Sequence, residues 1–379
     1  MNVPCPDCFT GTLRGDVVPR GREEILYGLP TYVTGPEPGI RPLGTVVIIP
    51  DAFGWRLLNT RALADVYAQR VPCIAYVPDF MNDHSPPQKF MILSEAKPPA
   101  NSSLLRRVFS GLWTTIRVLP LLLSFAIHNR PSKVKPRIQS FIRSVRGTTI
   151  SPAQSSPTPL AVAGFCWGGP YTVRLTHDIP ENKVLFNPGG IPGVSKGVEV
   201  HVIDCAFTAH PSLLEVPGDI EKIVWPLSIA DGDNDEWLGR KKWEQVVKIL
   251  ESKNRYWRER SQQTEGGPIE DLHQAKVYPG AKHGFAVRGD RDDPMQRERG
   301  WRSEDQAVRW FRRHFGEQAH GQGAASISVR SRVTSPAMSP GIGSGPLPTP
   351  SPSLVREGSG GTQKTLGSQA AKGAETVGA

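Results

Sequence analysis

Short apolar runs alternate along the chain with longer segments in which apolar residues recur every three or four positions. The runs have the length of buried strands, and the longer segments have the period of helices packed against a sheet. This alternation predicts an α/β fold with a mostly parallel sheet covered by helices on both faces. The predicted strands are Thr45–Ile49, Cys73–Val77, Leu160–Ala163, Val200–Phe207, Val224–Ala230 and Ala275–Tyr278, and the predicted helices are Asn59–Arg70, Arg240–Leu250 and Ser303–His314.

An insertion at about residues 81–158 interrupts this alternation. Within it, apolar residues from Leu105 to Ile127 recur at three- and four-residue steps, which predicts an amphipathic helix. Arg117 and Pro120 break the apolar run and argue against a membrane span. Three interpretations stay open: a helical cap over an active site, a packed helix pair, and a basic helix that makes weak membrane-surface contact through residues 104–127.

The positive charge of the chain is concentrated in one segment. The net charge is +9, and the stretch between Glu95 and Asp178 contains no acidic residue but eleven lysines and arginines. The remainder is close to neutral. We therefore expect one basic segment on a near-neutral protein, and no nucleic-acid binding.

The composition of the two ends of the chain indicates where the folded part stops and in which cell compartment the protein is expected. No aromatic residue follows Phe315, and residues 319–379, rich in Gly, Ser and Pro, are predicted to be a disordered tail. The N-terminus lacks the apolar run of a signal peptide, and five cysteines suggest no disulfide framework, so a cytoplasmic location is expected. Cys5 and Cys8 have no second pair at zinc-ligand spacing and are interpreted as ordinary thiols.

The hexapeptide Gly164-Phe165-Cys166-Trp167-Gly168-Gly169 is the strongest chemical signal. It follows a predicted strand and precedes a segment that can begin a helix. A Gly-x-nucleophile-x-Gly sequence in this context is typical of a nucleophile elbow, a turn so sharp that the flanking positions need glycine. Cys166 is therefore the candidate nucleophile.

A thiol nucleophile needs a base and a group that orients the base, and both follow later strands in the expected order. Asp235 lies beyond the strand that ends at Ala230 and is the preferred orienting acid, with Asp233 second. His283 lies in a glycine-bounded loop behind another strand and is the candidate base. His210 follows the strand ending at Phe207 and is a candidate for lining the substrate pocket.

The loop Asp51-Ala52-Phe53-Gly54-Trp55 follows the first predicted strand and should lie beside the elbow. Backbone N–H groups of this loop, together with that of Trp167, are candidates for an oxyanion hole. The Asp51 carboxylate near Cys166 should disfavour the thiolate and favour a neutral thiol at rest.

These motifs together resemble the dienelactone hydrolase (carboxymethylenebutenolidase) family, over about residues 5–316. The residues that carry the resemblance are Gly164–Gly169, Asp51–Trp55, Asn59–Arg61, Val77–Phe80 and His283–Phe285, while Cys5–Cys8 and Gly28–Tyr32 look like the fungal branch. The resemblance implies an α/β-hydrolase domain at 25–318, preceded by an N-terminal extension at 1–24.

The resemblance also implies roles for individual residues. Cys166 would be the nucleophile, His283 the base and Asp235 its orienter, without a metal or an organic cofactor. The oxyanion donors would be the N–H groups of Ala52 and Trp167. Bacterial members carry a Glu where this chain has Asp51, which is one methylene shorter. They hold the substrate carboxylate with two arginines, of which Arg288 is one candidate here; the loop Phe80–His84 supplies none.

The function predicted from these residues is a cysteine-dependent hydrolase of a lactone or small carboxylic ester. It would act through a Cys-His-Asp triad and an acyl-thioester intermediate. The alternative is a catalytically weak binding or scaffold protein that uses its tail and basic segment. The sequence does not indicate the natural substrate or the oligomeric state.

Overall fold

The computed structural model describes residues 18–87, 120, 123–149, 158–186, 198–265, 270–288 and 293–319. All of these belong to the first of the chain's two compact units, 1–333; the second unit, 334–379, lies outside the described residues. The Cys5–Cys8 pair, most of the Leu105–Ile127 stripe and the predicted tail after Ala319 also lie outside them.

An eight-stranded sheet forms the centre of the described structure, with the order β1-β2-β4-β3-β5-β8-β9-β10. The pairs β1–β2 and β2–β4 are antiparallel, and the strands from β4 to β10 in this order pair in parallel. The strands are β1 (Arg22–Leu26), β2 (Leu29–Thr34), β3 (Thr45–Ile49), β4 (Ile74–Pro78), β5 (Leu160–Phe165), β8 (Cys205–Ala209), β9 (Leu227–Asn234) and β10 (His273–Lys282). A separate antiparallel pair consists of β6 (Lys183–Phe186) and β7 (Val198–His201).

Helices cover both faces of this sheet, as the alternating pattern predicts. They are α1 (Leu58–Arg70), α2 (Pro131–Thr149), α3 (Gly169–Arg174), α4 (Gly218–Glu221), α5 (Gly239–Glu265) and α6 (Pro294–Ala319). One core contains residues of α1 and α6, and the other contains residues of α2, α3 and α5. The central strands β3 and β5 are buried along their whole length, which explains their uninterrupted apolar sequences. This is the α/β-hydrolase fold.

Several predicted element bounds are wrong. The run Val200–Phe207 contains two strands, because the backbone N–H of Val202 donates to Asn182 and that of Asp204 donates to Leu160. These bonds turn the chain from the β6–β7 pair into β8. Strands β9 and β10 and helices α5 and α6 are all longer than predicted, because apolar periodicity marks the buried centre of an element better than its polar ends.

The N-terminal strands β1 and β2 were not predicted. β1 is an edge strand with the sequence Arg-Glu-Glu-Ile-Leu and is mostly exposed, so it lacks an apolar signal. The predicted boundary at residues 24/25 falls within this strand. Just before it, the N–H of Gly21 donates to the Tyr32 hydroxyl at 2.6 Å, which connects the chain entering β1 to β2.

Part of the basic insertion is a crossover helix of the fold. Parallel strands β4 and β5 require a crossover connection, and α2 supplies it by burying apolar residues such as Ile138 and Phe141. Its arginines attach it to neighbouring elements: Arg137 donates to Phe80 O at 2.6 Å, and Arg146 forms a buried ion pair with Asp204. Within the described part of the chain, none of the helices has the length and apolar character needed to cross a membrane.

Candidate active site

Cys166 lies at the sharp turn between β5 and α3. A short 3₁₀ turn, Cys166–Gly168, connects the two, and Cys166 has a φ angle of +50°, which is rare for a residue with a side chain. A Cβ atom on Gly164 would lie 2.0 Å from Thr172 Oγ1, and one on Gly168 would lie 2.3 Å from Ile49 O. Only glycine fits at these two positions, as the elbow motif predicts.

The structure brings Cys166, His283 and Asp235 together in one hydrogen-bonded row. His283 Nε2 lies 3.1 Å from Cys166 Sγ, and His283 Nδ1 lies 2.7 Å from Asp235 Oδ2. Asp235 Oδ1 accepts from the backbone N–H of Trp237 at 2.8 Å, which fixes the carboxylate. His283 directly follows β10 and Asp235 directly follows β9, so parallel strand ends position both groups near the elbow.

Electrostatics in this row favours a charged cysteine–histidine pair. Burial alone would lower the pKa of His283, but the Cys166 thiolate charge and the hydrogen bond to Asp235 raise it to about 10. Burial alone would raise the pKa of Asp235, but its hydrogen bond and attraction to His283 hold that pKa below its usual value. These interactions favour a protonated imidazole between Cys166 Sγ and the Asp235 carboxylate, and a protonated imidazole in turn stabilises a thiolate at Cys166.

Asp51 and Arg288 form a second buried charge pair beside this row. Asp51 Oδ1 accepts from the N–H of Phe53 at 3.0 Å, and its Oδ2 lies 3.3 Å from Arg288 Nε. Burial raises the pKa of Asp51 to about 6; Arg288 opposes this shift, and the charge of Cys166 adds to it. The positive charges of Arg288 and His283 both act against this shift and so offset part of the effect that Asp51 is expected to have on the thiol.

Two acidic residues near Asp235 have different environments. Asp233, the second choice for the orienting acid, is exposed, and its Oδ1 accepts from Gly280 N at 2.6 Å, so it stabilises the β9–β10 connection. Asp231 is 1% exposed and hydrogen-bonds the Asp235 side chain; burial and the negative charge of Asp235 raise its pKa well above the usual range. Sequence reasoning missed Asp231, although its position directly after the predicted strand and before a second acid was a usable signal.

His210 does not line an open pocket in this structure. Its side chain is fully buried among Phe165, Phe285 and His283, with its ring 5.1 Å from that of His283. Neither ring nitrogen has a hydrogen-bond partner in the described part of the chain. Burial, helped by the neighbouring charge of His283, lowers the pKa of His210 to about 3, so the ring is neutral.

Ser212 contacts both reacting groups and was not predicted. Its Oγ lies 3.3 Å from Cys166 Sγ and 3.3 Å from His283 Nε2. The residue follows β8, the neighbour of β5 in the sheet. The sequence signal was its position two residues after His210, in a loop at the same sheet edge as the elbow.

The candidate oxyanion donors lie at adjacent strand ends. Ala52 follows β3 and Trp167 follows Cys166 after β5, and these two strands pair in parallel. The Trp167 ring packs against Tyr171 at 5.0 Å between ring centroids, and against Phe125 at 6.2 Å. Backbone N–H groups at the start of a helical turn point away from the turn and have no partner within it, which suits them to accept a developing negative charge.

Comparison with known proteins supports the relationship that the motifs suggest. No protein-family profile matches the chain. Hydrolase tropI from Talaromyces stipitatus is 23% identical over 317 residues, which are 84% of this chain and 99% of that protein. A carboxymethylenebutenolidase homolog from Xenopus tropicalis is 27% identical over 188 residues, which are 50% of this chain and 61% of that protein.

Among solved structures, a dienelactone hydrolase from Anabaena variabilis aligns with a TM-score of 0.43 and 11% identity, over 78% of this chain and 98% of that one. The similarity to this family rests on the two relatives compared by sequence. The predicted similarity to the dienelactone hydrolase family is confirmed, and it extends to a fungal hydrolase along nearly all of that protein's length.

Proposed function

We propose that this protein hydrolyses a lactone or a small carboxylic ester through an acyl-thioester on Cys166. The observation that carries the proposal is the buried row from Cys166 Sγ through His283 to Asp235 at an elbow. The coarser prediction of a hydrolase acting on ester bonds is borne out by the relatives named as hydrolases and carboxymethylenebutenolidase homologs.

In the first half of the reaction, the thiolate of Cys166 attacks the carbonyl carbon of the substrate. The carbonyl oxygen becomes an oxyanion and accepts hydrogen bonds from the backbone N–H groups of Ala52 and Trp167. His283 then donates its Nε2 proton to the departing alkoxide, and a thioester remains on the enzyme. With a lactone, the released hydroxyl stays attached to the acyl chain.

In the second half, His283 acts as a base. It accepts a proton from a water molecule that attacks the thioester carbonyl, and the tetrahedral intermediate expels the Cys166 thiolate with the acid product. The imidazolium formed in this step restores the charged pair. Asp235 holds the Nδ1 proton and so maintains the orientation of the ring throughout.

Arg288 is the proposed partner of a substrate carboxylate. In this structure its guanidinium is fully buried beside Asp51 and lies 5.5 Å from the Phe53 ring centroid. An anionic substrate would compete with Asp51 for the same cation. Burial raises the pKa of Asp51 to about 6 even beside Arg288, so losing the attraction of that cation would favour the protonated carboxyl further.

A cytoplasmic location remains a prediction.

The scaffold and membrane-surface alternatives gain no support from the described residues. The tail on which the scaffold reading depends lies outside them, as does most of the 104–127 segment. The described part of the basic insertion is α2, whose buried residues pack in the core. We therefore argue only the hydrolase.

The test is hydrolysis of a dienelactone and of p-nitrophenyl acetate by the wild type and by matched variants. We expect Cys166→Ala and His283→Ala to lower kcat/KM by about a thousandfold or more, because each removes a group that acts in the transition state. Asp235→Asn should also lose most activity, while Asp233→Asn, the exposed neighbour, should retain it. Intact-mass measurement should show one acetyl group on the wild type after mixing with p-nitrophenyl acetate. Activity that survives Cys166→Ala would contradict the proposal.

A further inference from the structure

The hydroxyl of Ser212 closes a triangle with the two reacting groups. Its Oγ is 3.3 Å from Cys166 Sγ and 3.3 Å from His283 Nε2, and those two atoms are 3.1 Å apart. Ser212 is 4% exposed, so water does not easily replace it. Both side-chain hydrogen bonds of this residue in the described structure go to groups that react in the proposed chemistry.

The backbone holds Ser212 in this place at a conformational cost. The N–H of Ser212 donates to Cys166 O at 3.0 Å, which connects the loop after β8 directly to the elbow. His210 and Leu213, on either side, have φ angles of +40° and +55°. Leu213 is 49% exposed, so burial of its side chain does not explain the strained backbone. Strain of this kind persists where surrounding contacts impose it, and it is concentrated at functional sites.

The loop also lies close against the helix that follows the nucleophile. A Cβ atom on Gly169 would lie 2.5 Å from Pro211 Cβ, so the two segments touch at a position without a side chain. The N–H of His210 donates to Ala230 O at 2.9 Å, which extends the parallel pairing of β8 with β9 by one residue. Ser212 is therefore held between the strand ends that carry Cys166 and Asp235.

We propose that Ser212 is a fourth catalytic residue, whose hydroxyl donates a hydrogen bond to the Cys166 thiolate and accepts one from the His283 imidazolium. The inference rests on the function proposed above. A hydroxyl has one donor and two acceptor sites, so it can make both bonds at once. Both bonds favour the charged pair over a neutral thiol and imidazole, because hydrogen bonds to ionised groups are the stronger ones.

The two hydrogen bonds of this hydroxyl respond differently as the charge moves. When Cys166 attacks the substrate, the negative charge leaves the sulfur and the donated hydrogen bond weakens. Ser212 Oγ can still accept from His283 Nε2–H, which keeps the imidazolium oriented until the leaving group takes its proton. No covalent bond to Ser212 forms or breaks in this scheme.

Other ionisable groups act on the thiol from every neighbouring element, so a titration must be compared between variants. Asp51 and Arg288 face it from the loops after β3 and β10, and His210 from the loop after β8. The pair Asp231 and Asp235 acts through His283 from the end of β9. A change confined to the Ser212 hydroxyl leaves all of these in place.

The test is the titration of the Cys166 thiolate by its ultraviolet absorbance and by the rate of iodoacetamide alkylation, with the signal of Cys166→Ala subtracted. We expect Ser212→Ala to raise the midpoint by about one pH unit, that is, to reduce the thiolate about tenfold at a pH below the midpoint. Thr208→Val is the matched control: its hydroxyl, on β8, donates to Gly164 O at 2.9 Å and should leave the midpoint unchanged.

A second pair of variants separates the effect of the hydroxyl on the thiolate from any effect of the substitution on folding. Ser212→Thr and Ser212→Val have nearly equal volume, and only the first retains a donor. If Ser212→Ala does not fold, the midpoint of the Val variant should still exceed that of the Thr variant. Equal midpoints in the hydroxyl-bearing and hydroxyl-free variants overturn the role of Ser212. A wild-type signal that Cys166→Ala leaves intact would instead overturn the proposed nucleophile, and the role of Ser212 with it.

Discussion

Two buried aspartate–arginine pairs occupy opposite edges of the sheet and differ in how completely they are hydrogen-bonded. At the amino edge, Arg146 holds Asp204 with two bonds, at 2.9 and 3.2 Å. Two further N–H groups of Arg146 donate to the carbonyls of His201 and Thr158, and Asp204 also accepts from Leu160 N at 2.8 Å. At the carboxyl edge, each oxygen of Asp51 has a single polar contact in the described structure, Oδ1 with Phe53 N and Oδ2 with Arg288 Nε.

This difference separates a pair that stabilises the fold, Arg146–Asp204, from one that lies beside the candidate catalytic residues, Asp51–Arg288. Charges removed from water are stable when all their donors and acceptors have partners, and such a network is rigid. In the Arg146–Asp204 pair every guanidinium nitrogen and both carboxylate oxygens have a partner, and the pair joins α2 to the start of β5 and β8. The Asp51–Arg288 pair is at least as buried, but here burial outweighs the attraction of Arg288 and raises the pKa of Asp51.

The largest effect is expected from breaking the structural pair. Arg146→Met removes the cation and leaves Asp204 buried without its partner, so we expect the free energy of unfolding to fall by about 3–5 kcal/mol. Chemical denaturation monitored by circular dichroism measures this. The double variant Arg146→Met/Asp204→Leu should recover part of the loss, because it removes both charges. A loss below 1 kcal/mol would contradict the comparison.

The Asp51–Arg288 pair should instead affect how the free energy of unfolding changes with pH. The pKa of Asp51 in the folded protein is about 6, above its ordinary unfolded value. Its stabilising proton is therefore fully bound below about pH 4 and lost as the pH rises through 6. Between pH 4 and 7 this carboxyl should lower the free energy of unfolding by about 2 kcal/mol.

Asp51→Asn removes that titration, so the stability of the variant relative to wild type should rise by about the same amount over this range. The absolute stability of the variant does not matter for this test, because only the change with pH is compared. In a Cys166→Ala background the rise should be smaller, since the thiolate charge is one cause of the raised pKa. Parallel pH profiles for Asp51→Asn and wild type would mean that Asp51 is ionised as easily as an exposed acid.

The sequence is informative about the sheet and the elbow because both have local signals. A buried strand such as β3 is apolar along its whole length, and the elbow needs glycines at fixed spacing around Cys166. The order of Asp235 and His283 along the chain follows from strand ends in a parallel sheet. These features were predicted without any knowledge of long-range contacts.

The features that the sequence did not reveal depend on long-range contacts. Ser212 has the local sequence of an ordinary loop, and its role becomes visible only when β8 lies next to β5. Arg146 was counted as one charge of a basic segment, whereas its partner Asp204 is 58 residues away. His210 is predicted to line the substrate pocket, but its side chain is fully buried and its ring packs against that of His283.

The smallest effect is expected from an exposed arginine on the same helix as Arg146. Arg143 donates to the carbonyls of Glu181 and Lys183, at 3.2 and 2.6 Å, so by contact alone it also attaches α2 to the fold. Its side chain is exposed, however, and water can replace it at both carbonyls. We therefore expect Arg143→Met to lower the free energy of unfolding by no more than about 1 kcal/mol, measured by the same denaturation. Arg143→Met could instead lower the free energy of unfolding as much as Arg146→Met does. The attachment of α2, rather than the burial of a charge, would then determine both values, and the contrast between the two buried pairs would have no physical basis.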